Sequence, residues 1–225
     1  QTRIRVSVDW SKAPVTTFLT GTIRFTGAGK EYSVSVKANR LNSKGVRGFI
    51  ENNGYVSIQA SHYNWIKLQY ASTWEKETGT GYTGETLRSG WRNVSEPEKL
   101  KDSSWIKSNC SVAEYDFCTF TAANASLIVF TIPTHPLNNR FSMRYAVSVD
   151  NGPLQVVDFR TFGRSEEWKQ NVLRNRAERK INLSYLDKGS HRLRVYALDP
   201  GVMLDGLLID LGGLQKSYSV IKETN

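Results

Sequence analysis

Apolar and polar residues alternate in short segments along most of the chain, which is the pattern of β-strands that bury one face. The first segment, "TRIRVSVDW", places Ile4, Val6 and Val8 on one face and basic or polar residues on the other. Two more segments, "GTIRFTG" and "EYSVSVKA", come next and are separated by a Gly-Ala-Gly-Lys turn signal. Because so few strands rarely form a free-standing sandwich, we expect residues 1–45 to be part of an immunoglobulin-like domain or a linker segment that packs on the rest of the chain.

After the polar stretch "NRLNSKGVRG", the same alternation predicts a second domain over residues 46–225. We predict an all-β fold there, an antiparallel, jelly-roll-like β-sandwich of about nine strands. Residues 64–112 are expected to form a long, aromatic-rich loop. One helix is predicted over residues 165–180 with Ser165 as its N-cap, and the later part of that segment also suits the start of a strand. The predicted strands are "YVSIQASHY", "AEYDFCTFT", "ASLIVFTIP", "RFSMRYAVSVD", "LQVVDF", "RKINLSYL", "HRLRVYAL" and "MLDGLLIDL".

The chain carries a net charge of +9, from 30 Lys and Arg against 21 Asp and Glu, which favours a polyanionic partner. This charge is unevenly placed. Residues 1–45 hold eight basic and two acidic residues, a difference of +6, and the other 180 residues hold 22 and 19, a difference of +3. No recognition helix, zinc finger or RNA-recognition signature is present, and no apolar run is long enough to cross a membrane. We therefore expect neither nucleic acid nor a membrane as a partner.

The two cysteines, Cys110 and Cys118, lie close to one predicted strand and match no zinc or redox spacing. Free, buried thiols are the favoured interpretation. A disulfide between them stays open as the alternative, and it requires the chain to reverse or bulge between the two positions.

The acidic residues and histidines do not form a catalytic pattern. A glycosidase needs two carboxylates roughly 5 to 10 Å apart across the scissile bond. The close acidic pairs here, Glu166 with Glu167 and Glu96 with Glu98, resemble solvated surface charge. Neither zinc spacing nor a Ser-His-Asp pattern occurs among the histidines. These are His62, His135 and His191. We therefore do not expect an enzyme.

Three separated motifs carry a resemblance to a known family. They are "GYVSIQASHY" (Gly54–Tyr63), "SMRYAVSVDNGP" (Ser142–Pro153) and "HRLRVYALDPGVMLDGLLIDLGG" (His191–Gly213). In this order they resemble the C-terminal module of glycoside hydrolase family 115 α-glucuronidases, itself similar to carbohydrate-binding module families 6 and 35, over Val46–Asn225. The resemblance implies a sugar-binding appendage without the catalytic domain, and the likeness to gut-bacterial members implies an exported protein, periplasmic, cell-surface or extracellular.

Two departures from the family pattern concern the ligands that the relatives use. Families 6 and 35 commonly hold a structural calcium through a glutamate near the first strand, and here Gln59 and Ser61 lack that charge and leave Asp205 without an acidic partner. We therefore expect no cofactor and no structural calcium. The amide that contacts sugar in those families is replaced by Met203 and Leu204, so a site built from Lys and Arg is expected instead.

The resemblance places the sugar site beside the Asp199-Pro200-Gly201-Val202 corner, and strand parity brings residues 64–112, 133–140 and 158–171 to the same end of the sandwich. Trp rings can stack on the apolar face of a sugar, and basic side chains can bind carboxylates at its edge. For any single Trp, packing under the loop is the alternative. The candidate carbohydrate-binding residues are Lys67, Arg88, Trp91, Arg92, Lys99, Lys101, Trp105, Lys107, Arg140, Arg160, Arg164, Trp168 and Lys169.

These observations lead to a non-catalytic carbohydrate-binding module of a polysaccharide-degrading glycoside hydrolase. Its expected ligand is an anionic plant polysaccharide, such as pectin (polygalacturonate) or glucuronoxylan, and its expected protein partners are the catalytic domains of the parent enzyme. The alternative is a structural or dimerisation module whose aromatic end packs against the parent enzyme without binding sugar. Nucleic-acid binding is a third and weaker interpretation of the positive charge.

Overall fold

The computed structural model divides the chain into two compact units, Gln1–Gly45 and Val46–Asn225. In the part of the chain that is described, no helix is long and apolar enough to cross a membrane. The described residues are 6–16, 18–40, 45–92, 97–215 and 221–225.

The first unit contains a β-hairpin of β1 (Phe18–Gly27) and β2 (Lys30–Asn39). Its two turn residues, Ala28 and Gly29, have φ angles of 49° and 72°. Positive φ at both central positions matches the twist of the flanking strands, and glycine adopts it without strain. The pairing register places apolar side chains together on one face, which we call the hairpin face. It consists of Leu19, Ile23, Phe25, Tyr32, Val34 and Val36.

The strand predicted for "TRIRVSVDW" is absent from its described part, residues 6–10. The side chain of Asp9 instead accepts hydrogen bonds from N and Oγ of Ser11, at 3.1 and 2.6 Å, and begins a turn. Alternation produces a strand only where a neighbouring strand completes its backbone hydrogen bonds, and residues 6–10 pair with no described strand. The prediction is therefore wrong for these residues. Residues 1–5 lie outside the described part.

The second unit is a β-sandwich of two six-stranded sheets, as the alternation predicts. In the first sheet the order is β11-β10-β13-β8-β3, with β5 beside β8, and in the second it is β12-β9-β14-β7-β6, with β4 beside β14. Almost every pairing is antiparallel, and the exception joins β3 to β8. The strands are β3 (Phe49–Ile50), β4 (Tyr55–Gln59), β5 (Trp65–Lys67), β6 (Ser72–Thr80), β7 (Gly84–Trp91), β8 (Val112–Thr119), β9 (Ala123–Thr131), β10 (Arg144–Val149), β11 (Gln155–Asp158), β12 (Ala177–Leu186), β13 (Gly189–Ala197) and β14 (Met203–Asp210).

The core lies between the two sheets and takes alternate side chains from each strand. Tyr115 and Tyr145 enter it from the first sheet, and Leu127 and Leu204 enter it from the second, all fully buried. Truncating one of the leucines to alanine would cost about 2–5 kcal/mol, because the cavity left behind adds to the lost burial. Trp74 also belongs to this core, where its indole Nε1 donates to the Val195 carbonyl at 3.1 Å.

The segment predicted as a long loop, residues 64–112, is mostly regular structure. It contains β5 and the β6–β7 hairpin, in which Ser72 lies opposite Trp91. A 3₁₀ turn (Pro97–Lys101) and helix α1 (Ser103–Asn109) come after the hairpin. The loop prediction is wrong because the segments "STWEKETGT" and "GETLRSGW" pair with each other as strands. Only a glycine-rich turn separates them. These additional strands also raise the total for the second unit above the nine predicted.

The helix predicted from Ser165 is α2, and it is shorter than expected. Ser165 is its N-cap, since its Oγ accepts from the Trp168 amide at 3.2 Å, and the helix covers Glu166–Leu173. It ends there because Ala177 already pairs with Thr131 as the first residue of β12. The start of the helix is confirmed, and its predicted end is wrong.

Both cysteines are free and buried, which confirms the favoured interpretation. Burial raises the pKa of the Cys110 thiol to about 12. Burial and the nearby Glu51 carboxylate also raise the pKa of Cys118.

Candidate functional site

Five connections meet at one end of the sandwich, which we call the loop end. Thr131 pairs with Leu204, so the end of β9 lies beside the start of β14. Tyr145 pairs with Ala197, so the end of β13 lies beside the start of β10. Strand parity predicts the same gathering of segments. The connections are residues 68–71, 92–111 (described at 92 and 97–111), 132–143, 159–176 and 198–202.

Phe141 joins several of these connections. Its ring meets the edge of Trp91 at 5.0 Å between ring centres, and its carbonyl accepts from Nη1 of Arg160 at 3.3 Å. Trp91 in turn donates from Nε1 to the Leu198 carbonyl at 2.7 Å. These contacts join β7 to three of the connections, residues 132–143, 159–176 and 198–202.

The Asp199 corner is fixed by a buried ion pair. Arg144 donates from Nε to Oδ2 of Asp199 at 2.7 Å and from Nη2 to Oδ1 at 3.0 Å. The Asp199 side chain is fully buried, and side-chain hydrogen bonding to Asp199 raises the pKa of Arg144. Because the two bonds form a fork, the pair sets the orientation of the corner as well as its charge.

The tryptophans of the candidate site are largely packed. Trp91 and Trp105 contact a small buried cluster that includes Leu100, Ile106 and Leu198. Trp168 stacks on His135, with 3.9 Å between ring centres. All three are half-buried. Packing against neighbouring side chains thus accounts for much of the burial of these rings.

The basic candidates differ in their carboxylate partners. Arg88 pairs with Glu75 at 2.7 Å and with Glu77 at 3.1 Å, and Lys169 pairs with Glu166 at 3.5 Å. These carboxylates balance the positive charge of Arg88 and Lys169. By contrast, Arg140, Arg160 and Arg164 make no ion pair with any described residue. The remaining candidates are exposed and are Lys67 on β5 and Arg92, Lys99, Lys101 and Lys107 in the 92–111 connection.

The acidic side chains near the basic run have local roles. Asp102 caps helix α1 by accepting from the Ser104 amide at 2.8 Å. Glu98 is exposed in the preceding 3₁₀ turn. Glu96 lies outside the described residues. The role of the Asp102 carboxylate is thus to cap the first turn of helix α1.

Phe162 is the feature that sequence reasoning missed. Its side chain is 72% exposed, and the guanidinium of Arg160 lies 4.7 Å from its ring centre. The next residue, Gly163, has a φ of 54°, in the left-handed region that favours glycine. The stretch "RTFGR" places an aromatic residue between two arginines beside a glycine turn, but this local pattern does not show that the ring is exposed.

The surroundings of Asp205 do not fit a calcium ion. Its buried Oδ1 accepts from the Tyr82 amide at 3.0 Å and from Thr83 Oγ1 at 3.1 Å. The Arg176 guanidinium lies beside Oδ2, with Nη2 at 3.7 Å, and stacks 3.5 Å from the ring centre of Phe130. A metal ion there would be repelled by the guanidinium. In the described ranges, no group of three or more His, Cys, Asp or Glu side chains could hold a metal.

A separate cavity of about 640 Å³ lies on the outer face of the second sheet. Basic and acidic side chains both line it, namely Arg176, Lys222, Glu178 and Glu223. Because these charges oppose each other, the cavity does not favour an anionic ligand. The loop end remains the better candidate site.

A family model described as the glycosyl hydrolase family 115 C-terminal domain matches residues 48–223. A search of curated proteins found no match. Among solved structures, the chain is similar to BtGH115A, a family GH115 4-O-methyl-α-glucuronidase with specificity for decorated arabinogalactans. The two chains are 28% identical with a TM-score of 0.48, and the match covers 65% of this chain and 17% of that one. The chain therefore spans about a sixth of that enzyme.

Two binding modules are also similar. A family 35 carbohydrate-binding module from Clostridium thermocellum is 16% identical with a TM-score of 0.41, covering 68% of this chain and 97% of that one. The C-terminal family 6 module of LamC, a marine laminarinase from Zobellia galactanivorans, is 12% identical with a TM-score of 0.41, covering 69% and 98%.

Proposed function

Because the chain belongs to the glycosyl hydrolase family 115 C-terminal domain family, we propose that it is a non-catalytic carbohydrate-binding module that holds a polysaccharide-degrading enzyme on anionic plant polysaccharide, such as polygalacturonate or glucuronoxylan. The loop end is the proposed binding surface. The catalytic domains of the parent enzyme are the proposed protein partners, and an exported location accords with an extracellular substrate.

One observation carries the choice of an anionic ligand. Arg140, Arg160 and Arg164 lie in two neighbouring connections of the loop end, and none of them pairs with a carboxylate of the described chain. Exposed ion pairs contribute only about 0–1 kcal/mol each. Useful affinity then requires several contacts along an extended polyanion, and tethering to an enzyme makes weak binding effective.

The acidic side chains near this surface support a binding role over a catalytic one. Glu166 pairs with Lys169, and Glu167 pairs with Arg179 at 2.6 Å on the side of helix α2. A glycosidase would instead need two carboxylates that face each other across a sugar. The paired glutamates are held by cations on a helix surface.

The hairpin face supports a second proposal, about the first unit. Its apolar side chains are at least partly exposed, and an isolated two-stranded hairpin is at best marginally stable in water. We propose that this hairpin is part of an immunoglobulin-like domain of the parent protein, in which further strands cover the hairpin face.

A structural or dimerisation module is the second candidate function. Leu137 at the loop end is 69% exposed, as an apolar contact surface would require. Sedimentation velocity of the chain over a range of concentrations would show a dimer if this role applied.

Affinity electrophoresis tests the main proposal. The chain should be retarded in gels that contain polygalacturonate or glucuronoxylan and should migrate freely in gels that contain unsubstituted xylan or mannan. Equal retardation by neutral and acidic polysaccharides would contradict an anionic ligand. Absence of retardation in every gel would contradict sugar binding and favour the structural role.

A further inference from the structure

We infer that Phe162 is the stacking platform of the loop end and that the sugar unit it accepts is a uronate, a pyranose ring that carries a carboxylate. This inference rests on the proposed function, because it assigns a residue and a ligand unit to the same surface. It goes beyond a general basic surface in naming one ring as the place where the sugar lies.

Phe162 is exposed beside anchored neighbours. Phe159 and Thr161 are buried and hold the connection to the sandwich, while Phe162 projects into solvent with 72% of its surface exposed. An exposed phenylalanine loses the stabilisation that burial would provide. Packing within the second unit therefore does not explain this ring, in contrast to the half-buried Trp91 and Trp168.

The Phe162 ring is held by neighbouring side chains. Arg160 lies over Phe162 at 4.7 Å from the ring centre and is itself fixed by its hydrogen bond to the Phe141 carbonyl. Phe141 is fixed by its contact with Trp91. One face of the Phe162 ring is thus backed by an anchored cation. A ring held in this way loses less freedom on binding than a free side chain would.

The residues after Phe162 leave room for a ligand. A Cβ atom on Gly163, the residue next to Phe162, would meet no other atom within 4 Å, so the space at this turn is open. Arg164 comes directly after it, exposed and without a described carboxylate partner. A ligand on the ring therefore has room and a free cation close by in the chain.

These features select the ligand by charge. The C–H face of a pyranose can lie on an aromatic ring by apolar contact. The guanidinium group of Arg160 lies behind the ring, and that of Arg164 comes two residues after Phe162. Both favour a carboxylate on the sugar, because charge-assisted hydrogen bonds are stronger than neutral ones. A neutral hexose would have the apolar contact alone. The surface should therefore distinguish galacturonate or glucuronate from galactose or glucose.

Titration of the whole chain with a galacturonate trisaccharide, observed by ¹H–¹⁵N NMR at low salt, tests the inference. Binding should shift the amide signals of Phe162, Gly163 and Arg164. Phe162→Ala should weaken binding about tenfold or more, and Phe162→Trp should retain it. Tyr185→Ala provides the matched control, because Tyr185 is an aromatic residue on β12, 57% exposed, near the opposite end of the sandwich. That variant should bind as the wild type does.

The outcomes separate this inference from the proposed function. If the wild type binds no acidic glycan, the proposed function fails. If the wild type binds and Phe162→Ala binds equally well, with unchanged melting temperature, the stacking role is overturned and the proposed function stands. If the wild type binds a neutral galactose trisaccharide as tightly as the galacturonate trisaccharide, the uronate assignment is overturned.

Discussion

The guanidinium of Arg176 lies beside the buried carboxylate of Asp205, with Nη2 3.7 Å from Oδ2, and it contacts the rings of Phe130 and Tyr82. Asp205 accepts from the Tyr82 amide, where β14 meets the β6–β7 turn. The arginine therefore supplies the positive charge that a buried carboxylate requires. Burial lowers the pKa of Arg176, and the Asp205 carboxylate opposes that change.

Removing this cation should destabilise the second unit. Arg176→Ala would leave the Asp205 charge buried without compensation, and breaking such a pair costs about 3–5 kcal/mol. Arg174→Ala is the matched control, since Arg174 is exposed two residues earlier and should change the free energy of unfolding by less than about 0.5 kcal/mol. Urea unfolding measures both. Equal stability of the two variants would show that Arg176 does not compensate Asp205.

Calcium should not stabilise the protein. A ligand that binds only the native state raises the melting temperature, and the Arg176 guanidinium beside Oδ2 of Asp205 would repel a metal ion there. Differential scanning calorimetry after chelation, with and without added calcium, should give the same melting temperature. A rise of several degrees would contradict the conclusion that the surroundings of Asp205 do not fit a calcium ion.

The Asp199 corner should depend on its ion pair. Asp199→Asn removes the charge that faces Arg144 and should cost about 3 kcal/mol, because Arg144 would remain partly buried and unpaired. The exposed Asp187, in a turn at the opposite end, provides the control variant Asp187→Asn. Chemical denaturation should separate the two. A loss below about 0.5 kcal/mol for Asp199→Asn would show that the fork does not hold the corner.

Cys110 should be unreactive in the native protein. Burial raises the pKa of its thiol from 9.0 to about 12, and the thiolate is the reactive form. The contribution of this group to stability is complete below the pKa of the unfolded thiol and is lost as pH rises toward 12. A thiol reagent at about pH 8, below the ordinary thiol pKa, should label Cys110 only after denaturation. Rapid labelling of the native chain would contradict its burial.

Much of the fold can be predicted from the sequence because it depends on local periodicity. Alternation predicts the strands around Tyr115 and Leu127, and strand parity predicts which connections share the loop end. The β6–β7 hairpin escapes prediction because its aromatic and charged residues resemble a surface loop. Its pairing, Ser72 with Trp91, becomes visible only when the partner strand is known.

The site is less predictable, because the exposure of a ring depends on distant neighbours. Sequence reasoning selects Trp91 and Trp105, and both pack on a cluster that forms only when several connections meet. Phe162 lies two residues from its arginine, yet nothing in the local pattern shows that its ring stays exposed. The pairing of Asp205 with Arg176 likewise joins distant parts of the chain, so no local pattern announces it.

The most direct test of the central claim is isothermal titration of the chain with polygalacturonate at about 50 and about 500 mM salt. Screening at the higher salt limits electrostatic interactions to about 4–5 Å, so binding should weaken at least tenfold. Arg140→Ala combined with Arg164→Ala should weaken binding about fivefold at low salt. Lys180→Ala combined with Lys188→Ala removes the same charge elsewhere on the sandwich and should leave affinity nearly unchanged. Salt-independent binding, or equal loss in both double variants, would contradict an anionic glycan site at the loop end.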